Sequence, residues 1–238
     1  MLGVLANSFA VLIGGIIGML FGSRIKKKYT DSLMVALGLA TMGMGVASVV
    51  GTTDVLCIIV CCALGTIIGE LLRIDDGVNA LGAFAERKFG KSDKSGKSSS
   101  FTSTFVSCAI MFCVGSMSVM GSVEAGLNGD NSILFAKAVL DLIASLAYGA
   151  AMGIGVAVSF VCVLVVEGAL TLLASAIAPL LTDAIVTEMS AVGGVLLIGL
   201  AINLLGLRRE PIKIANMLPG VFLPMAYVPL YDWITSLL

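Results

Sequence analysis

Apolar residues run in long blocks broken by short polar punctuation, and the blocks set the architecture. A helix needs roughly 20 residues to cross a hydrocarbon core about 30 Å thick. Blocks of that size predict eight spans. The first four run about Val4–Gly22, Leu33–Gly51, Val55–Leu72 and Phe101–Met120. Two more fit within Ser132–Ala178, turning at Gly153 and Gly155, and the last two run about Ala191–Leu207 and Ile214–Leu238. The polar connections are a turn holding Asp54, a hydrophilic segment Arg73–Ser100, the acidic loop EAGLNGDN and the acidic connection Thr182–Glu188. Within the hydrophilic segment, VNALGAFAERKF has apolar residues at helical spacing and reads as a short interfacial helix. The tail KSDKSGKSSS reads as a flexible linker.

Composition agrees with this layout. Apolar residues make up 58% of the chain and charged residues 12%, against about a quarter charged in a soluble domain. The expected fold class is therefore all-α: a polytopic integral membrane protein forming one transmembrane domain over residues 1–238, with a cytoplasmic loop at about 73–100. The first block lacks a basic start and an A-x-A-like cleavage site, so it reads as a retained span rather than a signal peptide. The net charge of −1 offers no basic field for nucleic acid. The chain has no His, which removes the usual proton shuttle and the commonest transition-metal ligand. All six cysteines fall inside predicted spans among aliphatic neighbours, where a thiol serves as a small packing group. No metal centre and no cofactor is expected, beyond a Na⁺ site near Asp141.

Charge distribution supplies the orientation. Short loops rich in Lys and Arg stay cytoplasmic. With eight alternating spans, the loops after the first, third and seventh hold thirteen of the fourteen basic residues, and only Lys137 is left over. Asp54, Glu124, Asp130, Asp183, Glu188 and Asp232 fall on the other side, with both termini.

Candidate chemistry comes from polar groups at depth. Asp141 lies nine residues past Ser132, about 14 Å in, and Glu167 twelve past Gly155, about 18 Å in. Both depths fall near a bilayer midplane, where a charge is kept mainly when it functions or is paired. The paired alternative is specific, because Lys137 sits four residues before Asp141 on the same helix face. Asn7, Ser8, Ser145, Ser159 and Asn203 are further polar groups inside spans. Glu70, three residues before Arg73, reads equally well as half of a local ion pair. The final block holds Pro219, Pro224 and Pro229, and Pro219-Gly220 predicts a break near its cytoplasmic end, close to Asn216. A broken helix exposes backbone groups that ligate ions.

Two patterns bear on packing. Gly14, Gly18 and Gly22 form overlapping GxxxG steps, and Gly65/Gly69 and Gly149/Gly153 form others. Small residues at that spacing let helices approach closely, and they permit a homodimer. The chain also repeats itself weakly. NSFAVLIGGIIG from Asn7 parallels VSFVCVLVVEGALT from Val158, and ALGLATMGMGVASVV from Ala36 parallels AVGGVLLIGLAINLL from Ala191. The paired spans run in opposite directions, so spans one to three against six to eight form an inverted repeat, a transporter pattern.

The motifs NSFAVLIGGIIG, GTIIGELL, FCVGSMSVMGSVEAGLNGD, KAVLDLIAS and NMLPG occur in this order along the chain. Through them the sequence resembles the bacterial membrane family catalogued as domain of unknown function 554, the YqgA-like membrane proteins. The resemblance implies a bacterial cytoplasmic (inner) membrane protein that transports something. The family pattern favours Pro where Ser116 stands and Gln where Glu167 stands, which moves the weight of the site toward Asp141.

The leading expectation is a secondary transporter, not an enzyme, moving a small solute or monovalent cation coupled to Na⁺ or H⁺. Its site would draw on Asp141, Asn7, Ser159, Glu167, Asn203 and Asn216. An ion channel on the same groups ranks below it, because no filter-like sequence is present. A non-transporting scaffold is the remaining reading, and it has no need of Asp141 at depth.

Overall fold

The structure, a computed structural model, describes residues 1–22, 24, 27–78, 80 and 101–236. Most of VNALGAFAERKF and all of the KSDKSGKSSS tail lie outside the described residues. Every regular element among the described residues is helical. Three long helices come first, α1 (Leu2–Gly22), α2 (Lys27–Val50) and α3 (Val55–Leu72). A bent pair follows, α4 (Phe101–Cys113) and α5 (Ser116–Leu127). Then come α6 (Ser132–Met152), the short α7 (Ile154–Val158) continued by α8 (Phe160–Leu172), a single turn α9 (Ala174–Ile177), and α10 (Asp183–Leu204). The chain closes with a 3₁₀ turn at Ile214–Met217, α11 (Pro219–Phe222) and α12 (Pro224–Thr235). Among the described residues six helices are long and apolar enough to cross a membrane, counting Ile154–Leu172 as one, and the number rises to eight if each of two bent pairs is one span.

Local sequence explains the helix ends. Asp54 caps α3 by accepting from the backbone N–H groups of Leu56 and Cys57, and the Thr182 hydroxyl caps α10 by accepting from Ile185. Such caps satisfy donors that have no partner within the helix. Gly206, with φ +64°, turns the chain away after α10.

The fourth span departs from the straight helix expected over Phe101–Met120. It bends by 60° between α4 and α5, and it runs on to Leu127, so the acidic loop shortens to residues 128–131. At the break, Gly115 has extended backbone (φ 166°, ψ 154°). Ser118 and Val119 turn back to the Gly115 carbonyl at 3.1 and 3.3 Å. The Phe112 carbonyl is left to side chains. The last span also bends, by 45°, but at Pro224 rather than at Pro219-Gly220. Pro219 and Pro224 each stand at the start of a short helix, where the missing N–H costs nothing. The chain therefore folds in segments.

Glycine contacts fix how the helices pair. Gly3 abuts Leu134 and Asn131 while Gly18 abuts the Leu146 carbonyl, so α1 and α6 run parallel and in close contact. A side chain at Gly18 would collide with that carbonyl. A Cβ on Gly45 would sit 2.7 Å from the Gly194 carbonyl, and one on Gly194 2.6 Å from that of Gly45, locking α2 against α10. Gly65 and Gly69 face Gly220 and Asn216, which packs α3 against the last bent pair. The Gly14/Gly18/Gly22 and Gly65/Gly69 steps are thus occupied within the chain, whereas in Gly149/Gly153 only Gly149 is, against Gly15.

The same contacts show which ends lie together. Phe101 adjoins Gly155 and Gly126 adjoins Thr171, so the α4–α5 pair runs alongside α7–α8 from one end of the bundle to the other. Following the chain, the described basic residues Arg24, Lys28, Arg73, Arg208, Arg209 and Lys213 gather at one end. Asp54, Asp130, Asp183 and Glu188 gather at the opposite end, with Leu2 and Thr235. We call these the basic and acidic ends. The apolar core has two main parts. One centres on Val192, Leu196 and Leu200 of α10, with Cys57 and Cys61 against it. The other joins Val11, Phe112, Tyr148 and Val163 and covers the polar cluster described next.

Candidate functional site

Four spans converge on one buried polar cluster. It comprises Asn7 from α1, Ser118 from α5, Lys137 and Asp141 from α6, and Glu167 from α8, each no more than 9% exposed. Lys137 and Asp141 stand one helical turn apart, and they form an ion pair. Lys137 Nζ also donates to the Phe112 carbonyl at 2.7 Å and lies 3.4 Å from Glu167 Oε1. The break between α4 and α5 is what frees that carbonyl, so an irregularity in one span becomes a ligand for a cation on another. Glu167 Oε1 accepts from Asn7 Nδ2 at 2.9 Å and lies 3.4 Å from Ser118 Oγ. The Ser118 hydroxyl is closer to the Phe112 carbonyl, at 3.0 Å. Its single proton serves that bond first.

The charge count is uneven. One ammonium faces two carboxylates, so with all three ionised the cluster carries one surplus negative charge. It also has unused valence: Asn7 Oδ1 and Glu167 Oε2 are buried without a partner among the described residues. Buried polar groups are overwhelmingly hydrogen-bonded. An anionic cluster with spare oxygens is suited to taking up a proton or a hard cation.

Depth corrects one expectation. Measured from the acidic ends of their helices, Asn7, Lys137 and Glu167 each lie five residues in, about 8 Å, and Asp141 nine residues in, about 14 Å. The cluster therefore occupies the acidic half of the bundle, and only Asp141 reaches toward the middle. A groove of about 480 Å³ runs between α5 and α6, lined by Ser116, Met117, Met120, Ser132, Ile133 and Ala136. Ser116, next to the α4–α5 break, is on its wall, and neither Lys137 nor Asp141 is among its lining residues.

The other residues singled out from sequence lie elsewhere. Ser159 is buried at the α7–α8 junction, and its hydroxyl donates to Val156 of its own helix at 2.6 Å. Asn203 donates to the Ile212 carbonyl at 2.9 Å and accepts from the Ile212 N–H at 2.8 Å, stapling the loop after α10. Asn216 accepts from the Asp75 N–H at 2.7 Å, tying the 3₁₀ turn to the chain after α3. These three hold backbone in place, and the structure does not bring them to Asn7, Asp141 and Glu167. Conversely, Ser118 and the Phe112 carbonyl could not be expected at the cluster from sequence, because nothing in local periodicity marks Gly115 as a break.

Glu188 forms a second buried carboxylate site at the acidic end. Its Oε2 accepts from the Thr52 hydroxyl at 2.6 Å. Its Oε1 accepts from the Thr53 N–H at 2.9 Å, the Thr53 hydroxyl at 3.2 Å and the Asp54 N–H at 3.2 Å. Nearby on that face, Asp130 is held below the usual carboxylate range, because the Ser132 hydroxyl and then the Ser132 N–H donate to it.

Comparison with known proteins follows the fold. The family model described as "Protein of unknown function (DUF554)" matches residues 2–229. The chain belongs to this family. It is 33% identical over 224 residues to the uncharacterized protein YqgA of Escherichia coli (strain K12), covering 94% of each chain. It is 28% identical over 228 residues to the uncharacterized membrane protein YdfK of Bacillus subtilis (strain 168), again covering 94% of each. No solved structure matches it.

Proposed function

We propose that this multi-pass membrane protein is an inner-membrane secondary transporter for a small solute or ion, coupled to H⁺ or Na⁺ at the cluster around Asp141. One observation carries the reading: a buried lysine is shared by two buried carboxylates at the point where a span is broken. Uptake of one cation or proton neutralises the surplus charge, and that change is what a coupled carrier needs in order to alternate between two conformations. Lys and Arg enrichment supports a cytoplasmic basic end, with both termini outside. The inverted-repeat reading draws support from the packing of the second span on the seventh and the third on the last. The first span packs chiefly on the fifth, where the repeat would pair it with the sixth.

The test uses the purified full-length protein. Its thermal melting is followed against Na⁺, K⁺ and pH, for wild type and for Asp141→Asn. A coupling ion at 100 times its Kd stabilises by about 2.7 kcal/mol. We expect one ion or pH step to raise the wild-type Tm, with no rise in Asp141→Asn. Equal responses from the two proteins would remove the reading.

A further inference from the structure

Four of the six buried side-chain polar atoms without a partner among the described residues belong to one seam: Asn7 Oδ1, Glu167 Oε2, Ser122 Oγ and Thr171 Oγ1. The last two have no place in the cluster described above. Ser122 is one turn beyond Ser118 on α5, and Thr171 is one turn beyond Glu167 on α8. Both residues lie on the facing sides of these helices. Ser118 Oγ is 3.4 Å from Glu167 at the inner end of the seam, and Gly126 meets the Thr171 backbone at the outer end. Ser118 and Ser122 are fully buried and Thr171 is 6% exposed, while Gly126, the next position along the stripe, is exposed. The stripe therefore leads from Glu167 to the acidic end over about 8 Å.

The two hydroxyls are unusual for this protein. A helical Ser or Thr in an apolar setting ordinarily donates to the carbonyl four residues back. Ser8, Thr41 and Thr66 do so, at 2.8, 2.8 and 2.7 Å. Ser122 and Thr171 do not, and among the described residues Thr104 on α4 shares that state. Each keeps a donor and an acceptor free inside the α5–α8 seam, as a proton relay requires, and buried hydroxyls of this kind are commonly bridged by internal water.

We propose that Glu167 exchanges a proton with the acidic end through a relay formed by Thr171 and Ser122, so that the coupling ion of this protein is H⁺. In the step, the Oε2–H bond of protonated Glu167 breaks and its electron pair stays on the carboxylate. The proton passes to a bridging water, since Glu167 Oε2, Ser122 Oγ and Thr171 Oγ1 are not hydrogen-bonded to one another; that water passes a proton to a hydroxyl, and each relay oxygen passes on its own proton toward bulk water. The cluster's net charge goes from zero to −1. The charged groups near Glu167 on the packed helices are Lys137 and Asp141 on α6; α5 carries Glu124, bonded to Asn128 at the acidic end, α1, α4, α7 and α9 contribute none, and the Cys113 thiol of α4 lies nearby. The relay deepens the transport reading by naming its ion and its entry side, and it is measurable without any transport.

The experiment is infrared spectroscopy of the full-length protein in lipid, following carboxylic-acid C=O bands after transfer to D₂O. We expect a band that is absent in Glu167→Gln and that shifts on deuteration. In Ser122→Ala/Thr171→Val the band should persist but exchange at least tenfold more slowly, with Tm unchanged because no protein hydrogen bond is lost. Thr171→Ser alone should keep the wild-type rate. An unchanged rate in the double variant overturns the relay. Absence of a Glu167-dependent band at every pH tested, or its loss on adding Na⁺, overturns H⁺ as the ion at Glu167. Should the double variant fail to fold, Ser122→Ala alone is expected to slow exchange several-fold, and a wild-type rate there counts against the relay. The transport reading fails independently, through the Asp141→Asn comparison above.

Discussion

Two buried carboxylate sites lie in the same half of the bundle, and they are built on opposite principles. Glu188 is 2% exposed and accepts four hydrogen bonds, all from neutral donors in the α2–α3 turn. Both of its oxygens are used. Glu167 is fully buried, shares a lysine with Asp141, and keeps one oxygen without a partner. The first site closes a turn and has no spare capacity. The second is incomplete in charge and in hydrogen bonding, which is how a site looks when something is to be exchanged there. Burial alone does not separate the two sites. Completeness of the partner set does.

The largest expected effect is from Lys137→Met. It leaves two carboxylates facing each other and strips the Phe112 carbonyl of its cation, so a loss of about 3–5 kcal/mol is expected in thermal melting. Adding Asp141→Asn to it should recover much of that loss, because the charge count again balances better. Glu188→Ala should cost about 2–4 kcal/mol, since the Thr53 and Asp54 N–H groups lose a charged acceptor. No second substitution among the cluster residues should rescue it, and ion-dependent shifts in Tm should survive. If Glu188→Ala abolished those shifts, the distinction between the two sites would collapse.

Glu167→Gln should change stability by less than about 1 kcal/mol, because Asn7 retains an acceptor and the surplus charge is removed. The same variant should lose any pH-dependent Tm shift that arises from the cluster. The smallest effect belongs to Asp130→Asn on the exposed loop. The folded-state pKa of Asp130 is lowered, so its contribution is present above the ordinary Asp value of about 4 and is lost as pH falls through the folded value. The wild-type protein should melt slightly above Asp130→Asn at neutral pH, and the two should converge in acid.

Span positions and the separation of charge between the two ends were readable because each follows from transfer of individual side chains out of water. A block of about 20 apolar residues is a span whatever surrounds it. The Lys137–Asp141 pair was readable too, as an alternative, because four-residue spacing on a helix is local geometry. The break at Gly115 was not. Its backbone is extended because α5 must swing toward α8, and no neighbour of Gly115 in the sequence carries that instruction. The backbone partners of Asn203 and Asn216 were hidden for a related reason: an asparagine inside an apolar block looks the same whether it binds a solute or holds a loop's backbone. The clamp made by Glu188 was hidden because its donors come from a turn more than 130 residues away.

The sequence by itself determined that this chain lives in a membrane, which blocks of it form the spans, and which ends carry the basic residues. Those properties depend on the solvation of each residue singly and on spacings within one helix. Only the tertiary structure decided that Asn7, Ser118, Lys137 and Glu167 meet, because each sits on a different helix or segment and the glycine contacts set the distances between them. It also decided which buried oxygens end up without partners. That is a property of four packed surfaces together, and no single stretch of the chain contains it.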